Sequence, residues 1–319
     1  MILIFSEEAD TSTSDVVNWF RYLKIEFKLI NNLYPANINW VKDGLVIEQD
    51  SETLLLSDVK AVFYRRGNMK FSPDKINFVP LNVLVQKEFD NLSEIFNYEI
   101  LSKKSINSFN NSTVNKYIVS DKAKKIKILV PKDYIITSVN ELQRIMVDTP
   151  KLITKTLSGS SIIDIDDTKF GVVYTKLITK KIIKKNKIFQ PTYFQEYIEK
   201  RYELRIFYLA GQFWTMAIFS QNDKKTTVDF RNYNFEKPNR TVPYTLPKDI
   251  EEKLQILMEE LKLNCGSIDM IVSKNLQYYF LEVNPIGQFG MVSNPCNYHL
   301  EKEIVNYLKY GEERIFKNY

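Results

Sequence analysis

The sequence is poor in histidine, cysteine and glycine, with one, two and nine of these residues in a chain of 319. A single histidine, His299, argues against a Ser-His-Asp triad, a Cys-His pair and a multi-histidine metal site. Cys265 and Cys296 are too few for a disulfide framework or a zinc site, and both are expected to be buried small side chains. Any chemistry must therefore come from Lys, Arg, Asp, Glu and Asn side chains.

The sequence also lacks an apolar run that approaches about 18 residues, so it predicts no transmembrane helix and no membrane partner. The run Ile2–Phe5 has no basic segment in front of it and continues into acidic residues. This pattern is typical of a first β-strand and not of a signal peptide, so the expected location is cytoplasmic. The net charge of +5 is mild, which disfavours a nucleic-acid-binding protein.

Strand-like and helix-like segments alternate along the chain, which predicts an α/β (α+β) protein with helices covering its sheets. The length suffices for two or three packed domains. Three units are expected, namely residues 1–110, 111–193 and 194–319. In the first unit, the strand at the N-terminus is followed by a helix for which Ser14 or Asp15 is the predicted cap.

A predicted hairpin near the end of the chain carries two carboxylates and an amide. Glu282 and Asn284 lie two residues apart on one strand, so their oxygens point to one face. Asp269 lies on the preceding strand, and a two- or four-residue turn within Ser273–Leu276 puts it on the same face, whereas a three-residue turn would not. These oxygen ligands suit Mg²⁺, which completes its shell with water and phosphates. The alternative is a solvated hairpin face, although charges inside apolar strands need partners.

Two lysines are candidate ligands for phosphate. Lys155 ends the apolar run Leu152–Thr154 and precedes a small polar loop whose N–H groups could add further donors. Lys116 could supply a second cation from a helix for which Ser112 is the predicted cap. Each lysine could equally be an ordinary surface residue.

The segment Gln195–Lys200 could cross between two domains and offer backbone groups to the edge of an adenine ring. Two acid–arginine pairs follow, in Glu203-Leu204-Arg205 and in Asp229-Phe230-Arg231. An arginine aimed at a transferring phosphoryl group stabilises the charge that develops there. The alternative for each pair is a salt bridge across strands.

The order of these elements, from Lys116 to Pro285, resembles the ATP-grasp superfamily over about residues 111–295, in the branch that contains the ribosomal-protein glutamate ligases. Within the superfamily, the features that resemble the graspetide synthetases are Phe63–Gly67, the spacing of Gln195-Glu196 and Glu203–Arg205, and Val228–Arg231. Those enzymes make ω-ester- and ω-amide-linked peptides. Tyr64-Arg65-Arg66 resembles their grasp-with-spasm subtype.

The resemblance implies an ATP-grasp fold, in which residues 1–110 are a pre-grasp domain, 111–193 a central subdomain and 194–319 a C-terminal subdomain with the metal site. ATP and Mg²⁺ are the implied cofactors. The implied ATP-binding residues are Lys116, Lys155, Glu196, Tyr197, Ile198 and Glu203, and the place of Glu203 at the ribose is often taken by Asp in related ligases. The implied metal ligands are Asp269, Glu282 and Asn284. The implied catalytic residues are Arg205, Asp229 and Arg231, with Asp229 as a candidate base.

In such enzymes, an Asp or Glu side chain of a precursor peptide is activated as an acyl phosphate, and a hydroxyl or Lys amine of the same peptide attacks it. The lysine-rich run 176–187 is the candidate dock for the leader of that peptide, through Lys176, Lys180, Lys181 and Lys184; the alternative is a solvated edge hairpin. Arg65 and Arg66 are candidates to bind acidic core residues, with ion pairing inside the first domain as the alternative. A radical-SAM SPASM partner and a homo-oligomer are further implications of the resemblance.

Two other classes of function stay open from the sequence alone. An ATP-grasp ligase that adds a free amino acid to a protein or small-molecule acceptor would use the same ATP site. A non-catalytic protein would bind peptide on a degenerate ATP-grasp scaffold, or nucleic acid through the lysine-rich run. The intact set of Asp269, Glu282 and Asn284 argues against a degenerate scaffold.

Overall fold

The computed structural model describes residues 1–7, 9–31, 36–66, 78–108, 111–157, 162–166, 169–172, 175–179, 183, 188–223, 225–232 and 234–311. The chain forms two compact units. The first contains Met1–Ser112, Gln288–Ser293 and His299–Tyr319, and the second contains Thr113–Gly287 and Asn294–Tyr298. The predicted α/β (α+β) class is confirmed by helices that alternate with sheets in both units. The predicted boundaries after residues 110 and 193 stay predictions.

The first unit contains a parallel sheet and a smaller antiparallel sheet. Its strands are β1 (Ile2–Ser6), β2 (Phe27–Asn31), β3 (Asn37–Val41), β4 (Gly44–Gln49), β5 (Glu52–Leu55), β6 (Ala61–Tyr64) and β7 (Lys104–Ile106). The parallel sheet has the order β2-β1-β6-β7, and the antiparallel sheet has the order β3-β4-β5. Every residue of β1 is buried, which is why this strand is a continuous apolar run in the sequence.

Two long helices belong to this unit, α1 (Thr11–Tyr22) and α2 (Val79–Leu101). The predicted cap of α1 is wrong, because the helix begins before Ser14 and its N-cap is Asp10. The carbonyl of Asp10 accepts hydrogen bonds from the N–H groups of Thr13 and Ser14, so the first turn is already closed there.

In the second unit, the described residues form three sheets and three helices. Its helices are α3 (Lys116–Lys125), α4 (Val139–Asp148) and α5 (Lys248–Glu260). Its strands are β8 (Asp133–Ser138), β9 (Leu152–Lys155), β10 (Ile162–Asp166), β11 (Lys169–Val172), β12 (Lys176–Leu177), β13 (Ile188–Glu196), β14 (Lys200–Leu209), β15 (Gln212–Phe219), β16 (Arg240–Tyr244), β17 (Cys265–Ser273) and β18 (Tyr278–Asn284). The sheet orders are β12-β9-β13-β8, β10-β11 and β16-β15-β14-β17-β18.

The five-stranded antiparallel sheet has one apolar face and one polar face. Leu204, Ile206 and Met270 belong to a buried core that also contains residues of α3 and α5. Because side chains alternate along a strand, the neighbouring residues Glu203, Arg205 and Asp269 are on the opposite face. That opposite face forms part of the candidate site.

The start of α3 places Lys116 in the first turn of the helix. The predicted cap Ser112 is wrong, because the side chain of Asn115 accepts hydrogen bonds from the N–H groups of Tyr117 and Ile118. Asn is as good an N-cap as Ser, and it lies directly before the first helical residue.

Two helices follow the five-stranded sheet, α6 (Gly290–Cys296) and α7 (Leu300–Tyr310). The residues Cys265 and Cys296 are buried free thiols, as expected. Among the described residues, no helix is both long enough and apolar enough to cross a membrane.

Candidate active site

Asp269 and Glu282 meet across the β17–β18 hairpin through a β-bulge. The hairpin closes with a three-residue turn, Lys274–Leu276, in which Leu276 has a φ of +61°. Regular pairing from that turn would set Asp269 opposite Leu281 and send Glu282 to the other face. The register shifts at this point, however, and Asp269 is paired with Glu282.

The prediction of a two- or four-residue turn is therefore wrong, yet the predicted shared face is present. The extra residue is Leu281, and a bulge of this kind re-aims the side chains that follow it. Further along the same strand, Asn284 is paired with Ser267, and its side-chain oxygen accepts a hydrogen bond from the N–H of Ile286.

Glu282 is held by two lysines. Its Oε2 atom lies 3.2 Å from the Nζ of Lys116 and 3.8 Å from the Nζ of Lys155. Burial opposes its ionisation, but Lys155, Lys116 and Arg231 together lower the pKa of Glu282 to about 2. Burial also lowers the pKa of Lys155, against the raising effect of Glu282. The site thus contains partly dehydrated ammonium groups that a phosphate could take over.

Asp269 is held by one arginine. Both of its carboxylate oxygens lie 2.6 Å from the Nη1 of Arg205. Burial raises the pKa of Asp269, and the neighbouring Glu282 adds to this, although Arg205 opposes both effects. A carboxylate in this position gains from any further cation that binds beside it.

These ligands fit a magnesium ion that arrives with a nucleotide. Mg²⁺ is usually bound through one or two carboxylates, with water and substrate phosphates filling the other positions. The pair Asp269 and Glu282 meets that need, and the residues that the structure describes contain no cluster of three acidic, histidine or cysteine side chains.

A second β-bulge brings Lys200 to Glu203. The register of β14 against β17 shifts between Lys200 and Tyr202, so Arg201 is the extra residue. Without the shift, residues three apart would point to opposite faces. The Nζ of Lys200 lies 2.6 Å from the Oε1 of Glu203, which also accepts a hydrogen bond of 2.7 Å from Ser220. Burial raises the pKa of Glu203, and Lys200 opposes that shift.

Asp229 and Arg231 form a two-pronged ion pair. The Nε and Nη2 atoms of Arg231 donate to the two oxygens of Asp229 over 2.9 and 2.7 Å. The N–H groups of Thr175 and Arg231 donate to the same carboxylate. Burial opposes ionisation, but these contacts lower the pKa of Asp229 and raise that of Arg231.

The segment predicted to hold adenine begins in the last residues of β13 and continues beyond the strand. The N–H of Glu196 donates to the carbonyl of Lys132, and the N–H of Tyr197 donates to the carbonyl of Lys151. Since those two donors are used within the protein, the N–H of Ile198 is the candidate donor to an adenine edge. The carboxylate of Glu196 accepts a hydrogen bond from the N–H of Lys132.

Gln195 is a candidate residue that the sequence reasoning did not assign to a role. The Asp133 carboxylate can only accept, and it does so from Ser120, Lys124 and, over 3.2 Å, the hydroxyl of Tyr193. The Tyr193 oxygen is thus free to accept from the Nε2 of Gln195 over 3.3 Å. This direction leaves Gln195 Oε1 buried without a donor among the described residues.

One cleft gathers most of these side chains. The predicted residues that line it are Lys155, Glu196, Tyr197, Ile198, Glu203, Asp229, Arg231, Asp269 and Glu282, and Gln195 and Lys200 line it as well. Of the other predicted residues, Lys116 and Arg205 contact the acidic groups of the cleft, whereas Asn284 is exposed.

The residues predicted to bind the peptide are less fully described. Arg65 is buried in the first unit, and its Nε donates to Asp10 over 2.9 Å, while the Nε of Arg66 lies 3.5 Å from the same carboxylate. Ion pairing inside the first domain is therefore present. Lys176 is exposed. Lys180, Lys181 and Lys184 lie outside the described residues, and the peptide-binding roles stay predictions.

The cleft combines three features: the backbone segment Glu196–Ile198, which we call the hinge, buried cations, and paired carboxylates. Together they define the site of an ATP-dependent ligase of the ATP-grasp class. The sequence matches the model of the RimK-like ATP-grasp domain over residues 119–308, which is more than half of the chain. This chain therefore belongs to the RimK-like ATP-grasp family. ATP and Mg²⁺, predicted from the resemblance, are the cofactors of this class of enzyme.

Three solved structures resemble the chain over nearly its whole length. The macrocyclase MdnC from Microcystis aeruginosa MRC, bound with the precursor peptide MdnA, is 26% identical, with a TM-score of 0.77 over 97% of this chain and 99% of MdnC. A RiPP-associated ATP-grasp ligase from Chryseobacterium gregarium, in complex with ADP and a leader and core peptide, is 23% identical, with a TM-score of 0.79 over 96% of each chain. The ATP-grasp ligase PsnB, complexed with minimal precursor, Mg and ADP, is 14% identical, with a TM-score of 0.74 over 96% of each chain. The last two similarities concern the fold alone, and a comparison with curated proteins found no match.

Proposed function

We propose that this protein is an ATP- and Mg²⁺-dependent peptide macrocyclase of the graspetide synthetase class. It joins Asp or Glu side chains of a ribosomally made precursor to Thr or Ser hydroxyls or Lys amines, giving macrocyclic esters or amides. The observation that carries the proposal is the similarity to MdnC, a macrocyclase bound with a precursor peptide. That similarity covers 97% of this chain and so extends over most of residues 1–118, which precede the RimK-like match.

The nucleotide would bind with its base at the hinge and its ribose at Glu203. The N–H of Ile198 would donate to the adenine ring, and Gln195 Oε1 would accept from the exocyclic amine. Among the described residues, the two polar contacts to the carboxylate of Glu203 both involve Oε1. Its Oε2 is therefore the oxygen that would accept a ribose hydroxyl.

In phosphoryl transfer, an oxygen of the peptide carboxylate would bond to the γ-phosphorus of ATP, the bond to the bridging oxygen would break, and ADP would leave. Before this step, Glu282 would exchange its partners. The phosphates would draw Lys116 and Lys155 away from this carboxylate, which could then act as a metal ligand together with Asp269. Bound Mg²⁺ supplies neutralisation of phosphate charge. Arg231, aligned by Asp229, would stabilise the γ-phosphoryl group as it passes to an oxygen of the peptide carboxylate.

The second step would close the ring. The hydroxyl oxygen or amine nitrogen bonds to the acyl carbon, the bond from that carbon to the phosphate oxygen breaks, and phosphate leaves with the electron pair. The nucleophile must also lose a proton, which the departing phosphate can take up. The low pKa of Asp229 makes it a weak base, so its contacts favour an orienting role, and the predicted base role stays a prediction.

The nature of the acceptor separates this proposal from the amino-acid ligase alternative. The test is ADP release with Mg²⁺ and ATP, measured with an acidic precursor peptide from a neighbouring gene and, separately, with free glutamate plus a protein acceptor. Stimulation by the peptide supports the macrocyclase. Stimulation by free glutamate alone would replace it with the amino-acid ligase.

Three finer predictions accompany the proposal: a cytoplasmic location, a radical-SAM SPASM partner and a homo-oligomer. The support for an oligomer is helix α2, where large apolar side chains are exposed, including Val79 (74% exposed) and Tyr98 (75% exposed). Light scattering of the purified protein tests it, and a monomer at every concentration would remove it.

A further inference from the structure

Among the described residues, Lys200 is the one buried ammonium group that has no role in the proposed reaction. It is 4% exposed and lines the cleft. Its Nζ contacts the carboxylate of Glu203 over 2.6 Å and the backbone carbonyl of Val228 over 3.1 Å. A buried ammonium group loses its hydration, so both contacts are needed to hold it there.

The two partners of Lys200 belong to opposite ends of the proposed nucleotide site. Glu203 is the candidate ribose ligand, and Val228 directly precedes Asp229, which aligns Arg231 for the γ-phosphoryl group. The side chain of Lys200 therefore contacts both the candidate ribose ligand and the backbone directly before Asp229.

The contact to Glu203 also determines which oxygen is offered to the ligand. Lys200 and Ser220 both donate to Oε1, and this fixes the orientation of the carboxylate. The other oxygen, Oε2, is then available to accept a hydrogen bond from the ligand. Loss of Lys200 would free the carboxylate to rotate, and burial would favour its neutral form. A neutral or rotated Glu203 is a poorer acceptor for a ribose hydroxyl.

We infer that Lys200 is a positioning residue that links recognition of the ribose to the placement of Arg231 at the γ-phosphoryl group. It contacts Glu203 on one side and the backbone before Asp229 on the other, and it acts through both. This inference rests on the proposed ATP site. It predicts that one substitution disturbs two contacts that lie at different ends of the nucleotide.

The test measures nucleotide binding by calorimetry with Mg²⁺, on the full chain and without any peptide. The ratio of affinities for ADP and 2′,3′-dideoxy-ADP reports the ribose contact. The ratio of affinities for the nonhydrolysable analogue AMPPNP and ADP reports the γ-phosphate contact. A lost hydrogen bond to a charged group lowers affinity about tenfold or more, so each ratio should be about ten or larger in the unmodified protein.

Three variants separate the possible roles. Glu203→Gln should lower only the ribose ratio, and Arg231→Gln should lower only the γ-phosphate ratio. Lys200→Met should lower both ratios toward one. Lys274→Met is the matched control, because this lysine is exposed and pairs with Glu199 outside the cleft, and it should keep both ratios.

Lys200→Met could fail to fold because it leaves the buried carboxylate of Glu203 without its cation. The double variant Lys200→Met/Glu203→Gln removes both buried charges and then tests the role of Lys200 in its place. Its γ-phosphate ratio should still fall, and its ribose ratio should equal that of Glu203→Gln alone. Lys200→Met that keeps either ratio, or a double variant that keeps the γ-phosphate ratio, would overturn the inference. An unmodified protein that binds none of these nucleotides would instead overturn the proposed function itself.

Discussion

Replacing Glu282 by glutamine is expected to destabilise the nucleotide-free protein in a pH-dependent manner. The pKa of Glu282 is about 2 in the folded protein and 4.5 in the unfolded chain, because Lys116, Lys155 and Arg231 favour its ionised form. At about 1.4 kcal/mol per tenfold change, this difference contributes on the order of 3 kcal/mol to the free energy of unfolding at pH 7. Glutamine keeps the shape of the side chain and removes that contribution.

The sign of the pH dependence follows from the lowered pKa. The contribution of Glu282 is fully present above pH 4.5 and is lost as the pH falls through about 2. The difference between the two proteins in urea unfolding should therefore be constant from pH 7 to about pH 5, and it should shrink to less than half by about pH 3.

A matched control is Glu199→Gln. The pKa of Glu199 is also about 2, because Lys151 and Lys274 pair with it, but this carboxylate is exposed. Solvent screens exposed pairs, so the control should change stability far less than Glu282→Gln does. Equal stability of Glu282→Gln and the unmodified protein at pH 7, or a difference that does not shrink toward pH 3, would refute the reasoning.

Three further predictions concern the reaction. Asp229→Asn should lower kcat by about tenfold or more through misalignment of Arg231, with single-turnover kinetics as the measurement; normal turnover would remove both roles considered for Asp229. Gln195→Met should raise KM for ATP while kcat stays unchanged, and competition assays should show a reduced preference for ATP over GTP. An unchanged preference would contradict the role of Gln195 as acceptor for the amine of adenine. Arg205→Met should raise the pKa of Asp269 further, because Arg205 favours the ionised form. More of this carboxyl group is then neutral at pH 6, so the variant should require more Mg²⁺ for activity at pH 6 than at pH 8. A Mg²⁺ requirement that is independent of pH would contradict this.

The hairpin illustrates what the sequence could predict about the site. Glu282 and Asn284 are two residues apart on a strand, and alternation alone puts them on one face. The position of Asp269 on that face depended on the length of the turn, which was predicted wrongly, although Asp269 does share the face. Leu276 takes a left-handed conformation that usually indicates glycine, so no residue type announced the three-residue turn or the compensating bulge at Leu281.

The partners of the charged residues were harder to predict than the residues themselves. Lys116 and Glu282 are far apart in the sequence, and only tertiary packing brings them to 3.2 Å. The pairing of Lys200 with Glu203 requires a bulge at Arg201, because residues three apart point to opposite faces in a regular strand. Gln195 had a usable signal, since it is a polar residue next to the buried Tyr193 and Phe194.

The most direct test of the central claim is mass spectrometry of a precursor peptide from a neighbouring gene, incubated with the protein, ATP and Mg²⁺. The account predicts the loss of one water mass for each linkage, and no loss with the Asp269→Ala/Glu282→Ala variant. A peptide of unchanged mass, together with ATP consumed only when a free amino acid is added and an acceptor that grows in mass, would contradict the macrocyclase assignment.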